Sequence, residues 1–388
     1  MLSIYEGFFV GGARVLHSNM VAELQSTGRQ SHSVLSMHRR IQRETLIQRM
    51  EDDACYQMLR TADVPVTALT GALGGTGRDP AIGPAEQAAA ARQAMRADVI
   101  LSLKEQPLRL VNQLDFPDKP VIVCLHRSDP QNQGAALTEL LTAVASGRVV
   151  AGVCCAEATR SAYQAAGVPG ELLHVIPNGV DLGRFRPAGA RERGRLRRAL
   201  GLPRTAAVVV FAARYDPMKN VPLFLEAARR FLTRQRSGQV VMCGAGMSER
   251  NPELRHDIET AFANADRLRC RLRLLGPRRD MRAVYASADV VSLTSGVGEA
   301  GPLCLIEGTM CGAVPVSTDV GDCSSIVAGR GLVTPADPDA VASAWTEAMD
   351  RRIEFASAFA DDRERFSQTR MAAAYAALIE RTYRECGL

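Results

Sequence analysis

Short runs of β-branched and apolar residues alternate with stretches in which apolar residues recur every three or four positions, along nearly the whole chain. Strands are expected over 32–37, 66–69, 97–103, 119–125, 149–154 and 173–176, where β-rich runs such as Val121-Ile122-Val123-Cys124 are bounded by turn residues. Leu16, Met20 and Leu24 repeat at helical spacing, with Val21 beside them and Gly28 closing the pattern. Further helices are expected over 84–95, 134–145 and 156–166. The charged stretch 39–53 is also expected to be helical, and the glycine-rich stretch 71–83 to form a mobile loop.

The same rhythm restarts after the turn cluster Pro177-Asn178-Gly179-Val180-Asp181, which Phe185 and Pro187 follow. Residues 191–200 read as a polar helix or linker, and 206–212 as a fully apolar strand. A helix over 221–231 comes next, then strands over 239–243, 272–275 and 289–293, a helix opening at Pro302, strands over 313–317 and 331–333, and helices over 338–349 and 371–386. Strands alternating with helices imply parallel sheets covered on both faces. The expected class is therefore α/β, with two doubly wound Rossmann-like domains. The first spans 1–183, the second 184–365, and a C-terminal helical segment, 366–388, is placed to reach back to the first.

A chain of 388 residues is long for one domain and comfortable for two. No run of eighteen apolar residues is present, and the opening Met1-Leu2-Ser3-Ile4-Tyr5-Glu6 lacks the basic-then-apolar layout of a signal peptide. None of the ten cysteines forms a Cys-x-x-Cys pair, so they read as reduced, buried small hydrophobes of a cytoplasmic protein. The six histidines show no ligand spacing, and no metal site is expected. The net charge of +5 is uneven: residues 1–183 hold 16 Lys and Arg against 18 Asp and Glu, and residues 184–388 hold 31 against 24. A basic second half suits a polyanionic ligand such as a nucleotide diphosphate. Nucleic acid is disfavoured, because no basic stripe is interleaved with aromatics.

The candidate chemistry centres on the stretch from Gly298 to Glu307. Here Glu299 and Glu307 flank a Gly301-Pro302 turn between a strand and an apolar helix. Proline suits a helix start, and the exposed amides of Gly301, Leu303 and Cys304 then form an anion cradle aided by the helix dipole. Such a cradle can hold a diphosphate while each carboxylate grips hydroxyls on either side, the layout of a sugar nucleotide. Two glutamates eight apart also arise by chance. Arg214 and Lys219, five apart just past a buried strand, are placed to neutralise a phosphate pair, or are an ordinary solvated loop. A similar choice applies to Gly11-Gly12, a phosphate-approaching turn or a plain one, and to His126, which ends a parallel strand where α/β ligands bind. Arg278, in the loop after the strand over 272–275, is a further donor-side candidate. Gly244-Ala245-Gly246 lacks the third glycine of a dinucleotide fingerprint, since Glu249 stands there.

Together, Ile176 to Asp181 with Phe185 and Pro187, Arg214 with Lys219, and Glu299 to Gly312 resemble the retaining family 4 glycosyltransferases. That resemblance implies a GT-B fold, two doubly wound domains facing across a substrate cleft, with a nucleotide diphosphate sugar as co-substrate and no cofactor. It implies that Arg214 and Lys219 hold the donor diphosphate, that Glu299, with Ala300, Gly301, Pro302 and Leu303, meets the transferred sugar and phosphates, and that Glu307 meets the ribose. His126 would lie near the anomeric carbon and Gly12 near the phosphate. Two departures are present: Ala300-Gly301 replaces the usual Gly-Phe, and Asn220 follows Lys219. Residues 5–14 and 50–56 further resemble the second glycosyltransferases of aminoglycoside pathways, which act on paromamine-type acceptors. Glu6 and the cluster Glu51-Asp52-Asp53 would then pair with acceptor amines, although an acidic run is commonly only a solvated surface. Glycolipid or polysaccharide assembly, a non-catalytic nucleotide-sugar sensor and a nicotinamide oxidoreductase are the alternatives. A lipid acceptor would call for a basic amphipathic helix, for which only 39–49 qualifies.

Overall fold

The computed structural model describes residues 1–9, 11–43, 46–74, 82–360 and 362–387. The chain divides into two compact units, residues 1–179 with 368–388, and residues 180–367. The first division falls after Gly179 rather than at 183. Each unit is a parallel sheet with helices on its faces.

In the first unit the elements run β1 (Leu2–Tyr5), α1 (Gly12–Ser26), β2 (Ser33–Arg43), β3 (Leu46–Arg49), α2 (Ala54–Thr61), β4 (Val66–Gly74), α3 (Pro84–Met95), β5 (Ile100–Leu103), α4 (Leu108–Val111), β6 (Val121–Leu125), α5 (Ala136–Ala145), β7 (Val149–Cys154), α6 (Glu157–Ala165) and β8 (Leu173–Val175). Seven strands lie in the order β4-β2-β1-β5-β6-β7-β8, all parallel. Their apolar runs are buried because helices cover a parallel sheet on both sides. Leu2, Ile4, Leu35, Ile100, Val121 and Val123 form the centre of that core.

The second unit runs α7 (Ala190–Ala199), β9 (Ala207–Ala212), α8 (Val221–Arg234), β10 (Gly238–Cys243), α9 (Pro252–Ala261), α10 (Asp266–Arg269), β11 (Leu272–Leu274), α11 (Met281–Ser287), β12 (Val290–Leu293), α12 (Leu303–Met310), β13 (Val314–Thr318), α13 (Cys323–Val327), β14 (Leu332–Thr334), α14 (Pro338–Asp350) and α15 (Arg352–Ala360). Its six strands are parallel in the order β11-β10-β9-β12-β13-β14. Trp345 is fully buried on α14, against the Phe224 and Phe231 rings of α8, and its Nε1 donates to Ser292 Oγ at 2.9 Å. The chain leaves through α16 (Gln368–Glu385), which belongs to the first unit. There Arg370 donates to the Pro177 carbonyl at 2.6 Å, and Gln368 to Glu23 at 2.7 Å.

One sequence expectation fails clearly. Residues 39–53 do not form a helix. β2 continues to Arg43 and pairs antiparallel with β3, Arg40 opposite Arg49 and Ile41 opposite Gln48. Ile41 is buried while Arg39 and Arg40 stay exposed, next to a register shift between His38 and Arg40. Charge density mimicked a solvated helix, but strand pairing overrode it. The basic amphipathic helix considered for a lipid surface is therefore a hairpin. No helix among the described residues is long and apolar enough to cross a membrane. Of the expected loop over 71–83, residues 71–74 prolong β4, and 75–81 lie outside the described residues.

Behind the second sheet, Asp289 gathers three cations. Arg193 and Arg352 meet its Oδ1 at 2.7 and 3.1 Å, and Arg197 its Oδ2 at 2.8 Å, while the Val208 amide donates at 2.9 Å. Removing one member of a buried ion network leaves uncompensated charge. Asp289→Ala is expected to lower stability by about 3 kcal/mol, read as a lower urea midpoint. An unchanged midpoint would show that these arginines find other partners.

Candidate active site

In the second unit the strand order reverses between β9 and β12, the switch point beyond whose carboxyl ends open α/β sheets bind ligands. After β9 come Arg214, a short 3-10 turn over Pro217–Lys219 and Asn220, which caps α8 from the left-handed region at φ 47°. After β12 comes the stretch from Thr294 to Pro302. The two loops are bound to each other. Gly296 N donates to Met218 O at 2.9 Å, and Thr294 Oγ1 reaches the Lys219 and Asn220 carbonyls at 3.1 and 3.2 Å.

Inside this frame Lys219 Nζ forms an ion pair with Glu299 Oε1. Ser295 Oγ donates to the same carboxylate oxygen at 2.6 Å. Burial alone would depress the Lys219 pKa, but the Glu299 charge, with a smaller contribution from Cys304, leaves it raised. Lys219 is therefore a firmly charged ammonium in a largely dehydrated place. Glu299 is itself pinned from behind. Gly321 lies at φ 58°, and a Cβ there would stand 1.8 Å from the Glu299 carbonyl oxygen. Asp322 N also donates to Ala300 O at 3.2 Å.

The helix α12 begins one residue later than expected. Pro302 is its N-cap, with ψ 113°, and Leu303 its first helical residue. The Leu303 and Cys304 amides thus fall in the first turn, where helix geometry provides no acceptor. Gly308 presses against Val291 of β12, since a Cβ at 308 would meet that side chain at 2.6 Å, which fixes the direction in which the helix start points. Glu307, on the second turn, stands by the buried Tyr285. Burial raises the Glu307 pKa to about 7, against the lowering effects of Tyr285 and Arg184.

Arg214 pairs with Asp216 at 2.9 Å, and Asp216 also accepts from Met218 N at 3.0 Å, so the first cation is held by its own loop. Gly244 packs directly under it: a Cβ there, at φ 137°, would be 1.9 Å from Ala213 O. The Gly-Ala-Gly stretch thus serves close packing of two loops. Tyr215 N donating to Ala245 O at 2.8 Å completes the contact. Arg278 is exposed in the loop after β11.

In the first unit the order reverses between β1 and β5. Glu6 ends β1 nearly buried, and Gly11 and Gly12 open α1 on the same side of the sheet, Gly11 as N-cap. His126 ends β6. Burial, with the Lys104 charge, pushes its pKa down to about 3, so the imidazole is neutral at physiological pH. The acidic cluster departs from the expected acceptor role. Asp53 is buried, pairs with the buried Arg14 at 2.8 Å, accepts from Gln48 at 2.7 Å and caps α2 through Cys55 N at 2.8 Å. It is an anchor for the hairpin and α2, with neither oxygen left to read a ligand. Glu51 is paired with Arg39 at 2.5 Å. Asp52 is exposed in a 3-10 turn. Among the described residues no three His, Cys, Asp or Glu side chains gather in a group that could hold a metal ion.

Comparison with known proteins decides what kind of chain this is. Residues 10–184 match the model of Glycosyltransferase Family 4, and residues 206–351 that of Glycosyl transferases group 1. Between them the matches cover most of both units. The chain is similar to glycosyltransferases in both units, in the first to those of family 4.

Curated relatives of the chain include the D-inositol 3-phosphate glycosyltransferase of Corynebacterium jeikeium, 31% identical over 47% of this chain and 43% of the relative. They also include D-inositol 3-phosphate glycosyltransferase 2 of Catenulispora acidiphila, 32% identical over 55% and 51%. The chain thus spans about half the length of the curated relatives it matches. Among solved structures, Anabaena HepE in complex with UDP superposes with a TM-score of 0.79 at 20% identity, over 98% of this chain and 99% of that one. Sucrose-phosphate synthase of Thermosynechococcus elongatus gives 0.76 at 17%, over 99% of both chains. These place the chain in the GT-B fold.

Sequence reasoning missed Ser295, Thr294 and Tyr285, which flank the candidate site residues. Their signal was available only as polar side chains at the end of an apolar strand and on a helix facing the carboxylates. The contact of Gly321 with Glu299 spans 22 positions and has no local signature. Gly321→Ala forces a side chain into φ 58° and against Glu299 O. Stability is expected to fall by at least about 1–2 kcal/mol, measured by thermal unfolding. An unaltered unfolding temperature would refute the contact.

Proposed function

We propose that the chain is a retaining glycosyltransferase that moves a glycosyl group from a nucleotide diphosphate sugar, a UDP-sugar by preference, to a hydroxyl of a small acceptor. The observation that carries this reading is the union, at the topological switch point of the second unit, of a buried charged lysine, a carboxylate pinned in place and an uncapped helix start. The anomeric C–O bond to the β-phosphate breaks as the acceptor oxygen forms the new bond on the same face, and the acceptor proton leaves with the phosphate. Negative charge grows on the departing diphosphate, so fixed cations and amides there stabilise the transition state more than the ground state. Arg214 and Lys219 supply the cations, and Leu303 and Cys304 the amides. Glu299 holds the transferred sugar and Glu307 the ribose. His126, neutral, can offer one donor and one acceptor to the sugar or acceptor. Because the chain supplies its own charge, turnover is expected to survive EDTA.

For the acceptor, a cyclitol hydroxyl is the class we favour. The matched relatives are named for inositol 3-phosphate, and the paromamine-type acceptor suggested by residues 5–14 and 50–56 also carries a cyclitol. The comparisons do not support the aminoglycoside acceptor, and two members of the acidic cluster meant to bind its amines are already paired. Glycolipid or polysaccharide assembly is the second reading, favoured by the same inositol phosphate relatives.

A panel of UDP-sugars offered with inositol 3-phosphate, paromamine or a lipid-linked sugar, read by product mass, is expected to yield one glycosylated product and free UDP. Binding without UDP release would instead make the protein a nucleotide-sugar sensor. Lys219→Ala is expected to raise the barrier by about 2–4 kcal/mol, so unchanged turnover at saturating donor would remove Lys219 from this role.

Glu307 gives a pH signature. As a carboxylate it accepts from ribose hydroxyls with both oxygens, and protonation turns one of them into a donor; burial raises its pKa to about 7. Donor affinity should therefore climb as pH rises from 6 to 8, flattening above the pKa. The pyrophosphate diester of a UDP-sugar does not titrate there, so calorimetry with that ligand isolates the effect. Glu307→Gln should bind more weakly at pH 8 and lose the slope; a slope that survives the substitution would assign it elsewhere.

A further inference from the structure

Glu299 holds two donors on one oxygen. Lys219 and Ser295 both address Oε1, and Oε2 has no hydrogen-bond partner recorded among the described residues. The donors differ in what a ligand can do to them. Lys219 is a long, flexible ammonium at the switch point, and a pyrophosphate beside it competes for its charge. Ser295 is almost wholly buried at the end of β12 and cannot follow. Its backbone is braced by Thr318 Oγ1, which donates to Ser295 O at 2.6 Å, and the next residue is tied to Met218 O.

We propose that Ser295 is the positioning residue for Glu299: it keeps Oε1 turned inward when the donor diphosphate draws Lys219 away, so that Oε2 stays aimed at the transferred sugar. In the donor-free protein the lysine shares this task. With donor bound the serine performs it alone, and the carboxylate does not swing. This inference rests on the donor-site reading above and adds a division of labour within it. The phosphates are read by the mobile cation, and the sugar by a carboxylate whose orientation is fixed from the sheet.

The division predicts a split that a purely structural serine would not produce. UDP lacks the sugar, so its affinity measures the phosphate and ribose contacts only. Ser295→Ala is expected to leave UDP affinity and the unfolding temperature near those of the parent protein. It should lower kcat with the UDP-sugar that turns over in the product panel by roughly ten- to a hundredfold, the range for losing a hydrogen bond to a charged group. Ser295→Thr retains the hydroxyl and should recover most of that loss. Unchanged kcat in Ser295→Ala would overturn the proposal. So would a parallel loss of UDP binding and kcat, which would mean that Ser295 merely supports the loop. If the parent protein binds neither UDP nor any UDP-sugar, the donor-site reading fails first and takes this inference with it. If the parent binds and turns over donor while Ser295→Ala matches it, only the inference falls.

Discussion

The second unit depends on one electrostatic fact: a lysine and a glutamate eighty positions apart are brought together where water is scarce. Taking either charge out of water alone would cost several kcal/mol, and the pair recovers that cost only if its geometry is held. The fold holds it with uncharged parts. β9 and β12 are hydrogen-bonded neighbours, so the residues that follow them emerge side by side. Thr294 and Gly296 then bind the two exits to each other. The ion pair is a consequence of strand order, which is why it falls where the order reverses.

A pair held this way is poised. It is satisfied without a ligand, yet neither member is fully enclosed, and a helix start lies beside them with amides that have no intrahelical acceptor. An anion arriving there meets positive charge that needs no further organisation. Preorganisation of this kind is what separates a catalytic charge from a solvated one, because the reorganisation cost has been met by folding. Glu307 shows the opposite adjustment. Burial makes its carboxylate reluctant to ionise, and the Tyr285 hydroxyl only partly offsets that.

Much of this was legible in the sequence, and the reason is local. Strands buried on both faces read as apolar runs, so Val149–Cys154 and Ala207–Ala212 stand out from their neighbours. The Pro84–Met95 helix carries its own start signal, a proline followed by Glu86, whose side chain returns to the Gly83 amide at 2.8 Å. Lys219, Glu299 and the Gly301-Pro302 turn could be proposed because each sits beside such an element. What failed was non-local. The hairpin of β2 and β3 is made of arginines and a few apolar residues, and only pairing with a strand elsewhere decides its state. Asp53 looked like a surface carboxylate because its partner, Arg14, lies 39 positions earlier. Helices α9 and α15 were passed over, as their apolar faces are narrow and complete a core set by distant strands.

The Asp53 result changes the argument about the first unit. Net acidity suggested a surface for a cationic ligand, but a charge count does not distinguish a carboxylate facing solvent from one that caps a helix. With Asp53 committed to Arg14 and Glu51 to Arg39, the acidic surplus near residues 50–56 shrinks to Asp52. Arg14 in turn lies over the Phe8 and Phe9 rings at 5.7 and 5.5 Å, so this ion pair locks the segment between β1 and α1. The residues that suggested a polyamine acceptor are therefore better explained as the framework that fixes the start of α1. What remains at the carboxyl edge of the sheet are the groups that end β1, β5 and β6. Of these, His126 is uncharged at physiological pH and is kept so partly by Lys104. A neutral imidazole offers one donor and one acceptor rather than a charge, so the net acidity of this unit says little about the groups met at the end of β6.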